Sequence, residues 1–210
     1  MTKRQPTAEN RAPRLDPGTV VRTAVELLDE EGRDALSTRA VAGRLGVRMN
    51  TVLWHVKTKP RMLELMADAI VGEIPLEGLP DAWDERTREL ARRYRRALLA
   101  HRDGAALVTG TYAAEAHTLR FADTLVGALL DSGMDDRRAA WTAWAVMYFT
   151  LGLTQEEQAV PEALEDRLAQ AVTEADHPSL HRVLAHLGAA SFDERFEHGI
   201  SALLTRGPAV

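Results

Sequence analysis

An all-α fold is what this 210-residue sequence predicts, on three observations. No stretch alternates apolar and polar residues for long enough to make a useful strand. Beyond residue 15, apolar side chains instead recur three and four positions apart, the spacing of one helix face. Capping residues, prolines and glycines cut these stripes into helix-sized pieces, about ten in number, with no internal repeat.

Residues 1–15 lack periodicity and carry Lys3, Arg4, Arg11 and Arg14, which predicts a disordered basic arm. Asp16 and Pro17 open the first helix, a capping carboxylate followed by a ring already set for the first turn. Val21, Ala24, Val25 and Leu28 form its stripe, and Gly32 ends it. Ser37 caps a second helix, Leu36 and Val41 sit at staple spacing, and Gly46 stops it. A third short helix covers about Met49 to Val56, with Val52 and Val56 inward. Thr58 and Pro60 start a fourth, running to about Ile74. Further helices are expected over about Trp83–His101, Ala105–Gly110, Ala113–Asp131, Asp135–Leu153, Pro161–Ala175 and Phe192–Thr205. The expected division is the arm, a three-helix domain over 16–60, and a larger helical domain over 61–210.

The chain has no cysteine, which excludes disulfides and thiolate metal sites and fits a reducing compartment. No signal peptide is visible. The longest apolar stretch, Ala139 to Leu153, is shorter than the roughly 18 to 20 residues that span a bilayer. A cytoplasmic protein without membrane contact is expected. Net charge is −5 but unevenly placed. Up to Pro60 there are eleven Lys and Arg against seven Asp and Glu, a balance of +4, and the remainder carries −9. A basic head on an acidic body points to a polyanion at one end only.

The segment LGVRMNTVLWHVKTK, residues 45–59, carries the chemistry for such a partner. On a helix, Arg48, Thr51 and His55 share a side by i, i+3, i+7 spacing, away from Val52 and Val56. They supply a guanidinium for guanine or phosphate, a hydroxyl, and an imidazole for phosphate. Met49 can meet a thymine methyl, and Lys57 and Lys59 follow where backbone phosphates would lie. The preceding helix begins Ser37-Thr38-Arg39, with amides able to take a phosphate. One helix crossing the backbone and the next entering the major groove is helix-turn-helix logic. A surface helix that is polar simply because it meets solvent is the alternative for this segment taken alone.

The run STRAVAGRLGV at 37–47, followed by NTVLWHVKTK at 50–59, resembles the DNA-binding domain of the TetR family of transcriptional regulators. PLEG at 75–78, ALLAHRDGA at 97–105 and FTLG at 149–152 resemble the ligand-binding domain of its tetracycline-repressor branch. The similarity spans about residues 15–158. It implies DNA contacts at Thr38, Arg39, Arg48, Met49, Asn50, Thr51, Leu53, His55 and Lys59. Three of these depart from that branch: Leu53 stands for a tyrosine, Asn50 for a proline and Arg48 for an acidic residue. A different operator is therefore expected. Trp54 is expected to pack and hold the third helix.

The larger domain offers no catalytic set. His101 and Asp103 flank a turn, Glu156 and Glu157 stand side by side, and no nucleophile accompanies them. His177, His181 and His186 lack a carboxylate companion at ligand spacing and are expected as exposed or capping residues. The segment WTAWAVMYFTLGL, 141–153, is apolar on every side, so a second face seeks cover. With the stripe Phe192, Phe196, Ile200, Leu203 and Leu204, it predicts a homodimer, which the resemblance also implies. Two recognition helices about 34 Å apart would then read a palindromic double-stranded DNA operator.

The resemblance further implies a small-molecule pocket. The tetracycline-repressor branch holds a magnesium-chelated drug, but its metal-binding histidine is Val108 here and its asparagine Leu90. Thr111 and Glu156 match; an arginine and a proline become Tyr112 and Ala113. Without the imidazole a magnesium chelate is disfavoured, so no metal or other cofactor is expected. The expected lining is Met66, Ile70, Leu90, Tyr94, Val108, Thr111, Tyr112, Phe121, Trp141, Trp144, Met147 and Tyr148, suited to an apolar or aromatic effector. The resulting expectation is a ligand-responsive repressor. A small-molecule-binding or interaction module with a degenerate helix-turn-helix is the rival, and salt-dependent DNA binding separates the two.

Overall fold

The computed structural model describes residues 15–111, 114–159, 164–188 and 191–205, so nearly all of the basic arm lies outside it. The described residues form eleven α-helices and one 3-10 turn. α1 (Pro17–Glu31) starts where Asp16 accepts the Thr19 amide at 2.7 Å and ends at Gly32, whose φ of 83° favours a residue without Cβ. The 3-10 turn Arg33–Ala35 leads to α2 (Thr38–Arg44), capped by Ser37 on the Ala40 amide. Gly46, at φ 65°, turns the chain into α3 (Met49–Val56). α4 (Lys59–Gly72) is capped by Thr58, and its apolar face runs through Met62, Met66 and Ile70.

α5 (Trp83–Leu99), α6 (Gly104–Val108), α7 (Ala116–Leu130) and α8 (Asp136–Ala159) build the body. α9 (Leu164–Ala171), α10 (Pro178–Gly188) and α11 (Phe192–Leu204) complete it, the last opened by a capping box of Ser191 and Glu194. One buried apolar cluster runs from Val20 to Leu204 without a break. α4 joins its two ends, packing on α1 and α3 on one side and on α5, α6 and α7 on the other. No helix among the described residues is long and apolar enough to cross a membrane.

Two elements differ from expectation. α8 continues six residues past Leu153, through a polar stretch that the body uses. Thr154 is buried there, and Gln158 donates to the carbonyls of Leu98 and His101 while accepting the Ala105 amide. α10 falls where no helix was expected. Its stripe of Leu180, Val183 and Leu187 is exposed and spaced i, i+3, i+7, interrupted by the histidines that drew attention instead.

Candidate functional site

The outward ridge of α3 is built by its two buried valines. Val52 and Val56 are fully enclosed, which turns Asn50 and Trp54 straight out to solvent and sets Thr51, Leu53 and His55 half-buried on the flanks. Arg48 stands at the N-cap, exposed, with no side-chain cap on the amides that follow it. Met49 is exposed beside it. The expectation that Trp54 packs is overturned, because it is 74% exposed. Its i±4 positions are Asn50 and Thr58, not core residues, so the helix phase carries it away from α1 and α2. Lys57 attends it, with its amine 5.0 Å from the ring centroid.

Lys57 also donates to the Trp54 carbonyl at 2.8 Å and adopts φ 65°, so it closes the C-terminus of α3. Arg39, Arg48 and Lys59 are exposed and have no ion-pair partner among the described residues. Thr38 is half-buried at the start of α2, where Ser37 takes the Ala40 amide. Arg44, by contrast, is tied to Glu30 of α1.

A clip joins this head to the body. His101, only 8% exposed, sets Nδ1 3.0 Å from Asp29 of α1 and Nε2 3.0 Å from Glu73 just past α4. Burial alone would lower its pKa, but hydrogen bonds to Glu73 and Asp29 outweigh that and raise it. With both nitrogens facing carboxylates, the imidazolium is the form that donates to both. Arg102 donates through its amide to Asp29 and through its guanidinium to the Glu30 carbonyl, and Asp103 accepts the Arg33 amide at 2.9 Å. His101 and Asp103 are therefore more than turn residues. α6 begins directly after the clip.

The other end of α6 reaches a cavity of about 410 Å³ between α4, α5, α7 and α8. Tyr94, Val108, Thr111, Phe121, Trp144, Met147 and Tyr148 of the expected lining come together there. Met66, Ile70 and Leu90 do not. α4 turns Ala67 and Val71 to the cavity, which rotates Met66 and Ile70 into the sealed core, and Leu90 lies one turn from Tyr94, fully buried. Trp141 also lies elsewhere, one turn before Trp144, in a surface groove with its ring under Arg137 at 4.1 Å. Tyr112 falls outside the described residues. Thr109, Thr118, Leu119, Leu151, Gly152 and Gln155 complete most of the lining and went unexpected. The stripe of Trp144, Tyr148 and Leu151 lies within the expected helix, and the continuation of α8 past Leu153 adds Gln155 to it.

Among the described lining residues none is an acid, a lysine, an arginine or a histidine. Glu156, which matches the tetracycline-repressor pattern, is exposed and outside the lining, and Val108 cannot ligate. The donor set does not fit a magnesium chelate.

Known proteins of this sequence and shape share both halves. A family model described as the tetracyclin repressor-like C-terminal domain matches residues 75–205. The chain is 34% identical to the class A tetracycline repressor from transposon 1721 of Escherichia coli, covering 91% of this chain and 89% of that one. A possible TetR family transcriptional regulator from Streptomyces coelicolor A3(2) superposes with a TM-score of 0.78 at 38% identity, over 90% and 97% of the two chains. The TetR family protein ActR of Streptomyces coelicolor, in complex with (S)-DNPA, gives 0.83 at 27% identity, over 91% and 96%. This chain belongs to the TetR family of transcriptional regulators. It is a ligand-responsive regulator and not an enzyme.

Proposed function

We propose that a homodimer of this chain grips a palindromic operator through α3 and is released by an uncharged, largely apolar aromatic effector without a metal. The cavity carries this reading: about 410 Å³ in volume, aromatic on three walls through Tyr94, Phe121, Trp144 and Tyr148, and free of charged side chains among its described lining. An ionised ligand would lose its hydration there without a counter-charge. α6 supports the coupling, since Val108 meets the cavity while the clip at His101–Asp103 holds α1. An effector that prefers one position of α6 biases the head by its difference in affinity, typically about 1 to 3 kcal/mol.

Arg48, Thr51 and His55, with the outward Asn50, form the reading face, and Arg39 and Lys59 meet phosphates. Three helices over 16–60 act as the DNA head and 61–210 as the effector and dimer body. The exposed side of α8, with Trp141 and Tyr148, supports pairing with a second copy. A binding panel tests the effector class. Uncharged aromatic compounds are expected to bind and raise the melting temperature more than tetracycline with magnesium; the reverse order contradicts the reading.

A further inference from the structure

Tyr94 is buried in a way that a packing residue has no need to be. It is 3% exposed on α5, with its ring 5.0 Å from that of Phe121, and its hydroxyl meets no hydrogen-bond partner among the described residues. No side-chain oxygen or nitrogen among them is both sealed and unpartnered, so this hydroxyl is not enclosed by packing. The open space beside Tyr94 is the cavity it lines. Phenylalanine would pack the same position without presenting a hydroxyl to the cavity. Burial pushes the phenol pKa upward, so the group keeps its proton throughout the physiological range.

The threonine hydroxyls of the lining are differently committed. Thr111 Oγ1 donates to the Val108 carbonyl at 2.6 Å, and Thr118 Oγ1 donates to Asp68 at 2.9 Å. Thr109 Oγ1 donates to the Ala105 carbonyl at 2.8 Å. Each has its single proton engaged and retains only acceptor lone pairs. The Tyr148 hydroxyl donates to no described residue but is on a side chain 55% exposed at the mouth, where water competes for it. A donor with no protein acceptor among the described residues, set in an uncharged aromatic cavity, suits an acceptor on the ligand.

We propose that Tyr94 is the specificity-determining donor of the cavity, and that it selects a planar aromatic carbonyl compound by donating its hydroxyl to the carbonyl oxygen. Ligand hydroxyls would meet the acceptor-only threonines. This rests on the reading of the cavity as the effector site.

Fluorenone and fluorene test it, as tricyclic compounds of matched shape that differ in a C=O against a CH2. With the full-length protein, equilibrium titration should give fluorenone about fivefold to tenfold tighter binding than fluorene, the usual size of one net hydrogen bond. Tyr94→Phe should bring the two within about twofold by weakening fluorenone alone. Its melting temperature should equal or exceed that of the parent, since the lost hydroxyl has no protein partner to leave behind. Thr111→Val, which removes a hydroxyl whose proton is already given to the Val108 carbonyl, should keep the preference. Equal affinities in the parent protein, or a preference that survives Tyr94→Phe, overturns the role of Tyr94 while leaving an aromatic effector standing. Binding of neither compound overturns both.

Discussion

In α5 all six arginines have partners; on the head built from α1 to α3 and the start of α4, Arg39, Arg48 and Lys59 have none among the described residues. Arg95 is the deepest of the former. It meets Glu157 at 2.8 Å and Asp193 at 2.5 Å and lies over the Phe196 ring, joining α5 to α8 and α11. Arg92 reaches Glu197 at 2.6 Å, and Arg86 meets Asp131 at 2.8 Å. Each of these charges is answered inside the fold. The head leaves these three cations to solvent, where a phosphate can replace their counterions. Sequence charge alone cannot tell these uses apart: α5 is the most arginine-rich helix of the chain, yet it works as an internal clamp.

Substitution at the two kinds of cation breaks the comparison most strongly. Arg95→Ala leaves Glu157 half-buried without its partner and should cost about 3 kcal/mol in urea unfolding. Operator affinity of the folded fraction should stay unchanged. Thr51→Ala with His55→Ala should weaken operator binding about tenfold or more and leave dimerisation intact, as size-exclusion chromatography would report. Arg48→Ala should lower operator affinity severalfold, reduce the slope of log affinity against log salt by about one if it meets a phosphate, and shift unfolding by less than about 0.5 kcal/mol.

The clip between head and body sharpens the contrast through pH. The folded pKa of His101 lies above its ordinary 6.5, so the charged form is favoured by folding. Its contribution to stability is fully present below about pH 6.5 and is lost as pH rises through the raised folded value. Melting temperature should therefore fall across that window in the parent, and His101→Asn should flatten the fall. The smallest effect is expected at Trp54. With 74% of its surface in solvent, Trp54→Ala should change unfolding by under about 0.5 kcal/mol, far less than loss of a core tryptophan.

What was legible in the sequence had local causes. Asp16, Ser37 and Thr58 cap the helices they were expected to open, and Gly32 and Gly46 turn the chain at positive φ. The valines of α3 set its inward face as their spacing required. What was not legible depends on neighbours distant in sequence. Nothing near Met66 distinguishes it from Ala67, yet one is sealed and the other lines the cavity, a difference of 100° on α4 decided by where α7 and α8 lie. The polar end of α8 resembles a stop because its partners, Arg95 and Leu98 of α5 and His101 of the turn after it, lie some sixty residues earlier. Trp54 departs for a simpler reason: a large aromatic is usually buried, but its phase on a short helix, away from Val52 and Val56, turns it outward.

Selection of the full-length protein against a random double-stranded DNA pool at near-physiological salt tests the central claim most directly. An inverted repeat is expected, with half-sites about one helical turn apart, bound with a steep salt dependence that Arg39→Ala, Arg48→Ala and Lys59→Ala each lessen. Enrichment of no sequence, with binding that disappears as salt is raised, would show that the unpaired cations of the head attract polyanions without reading them.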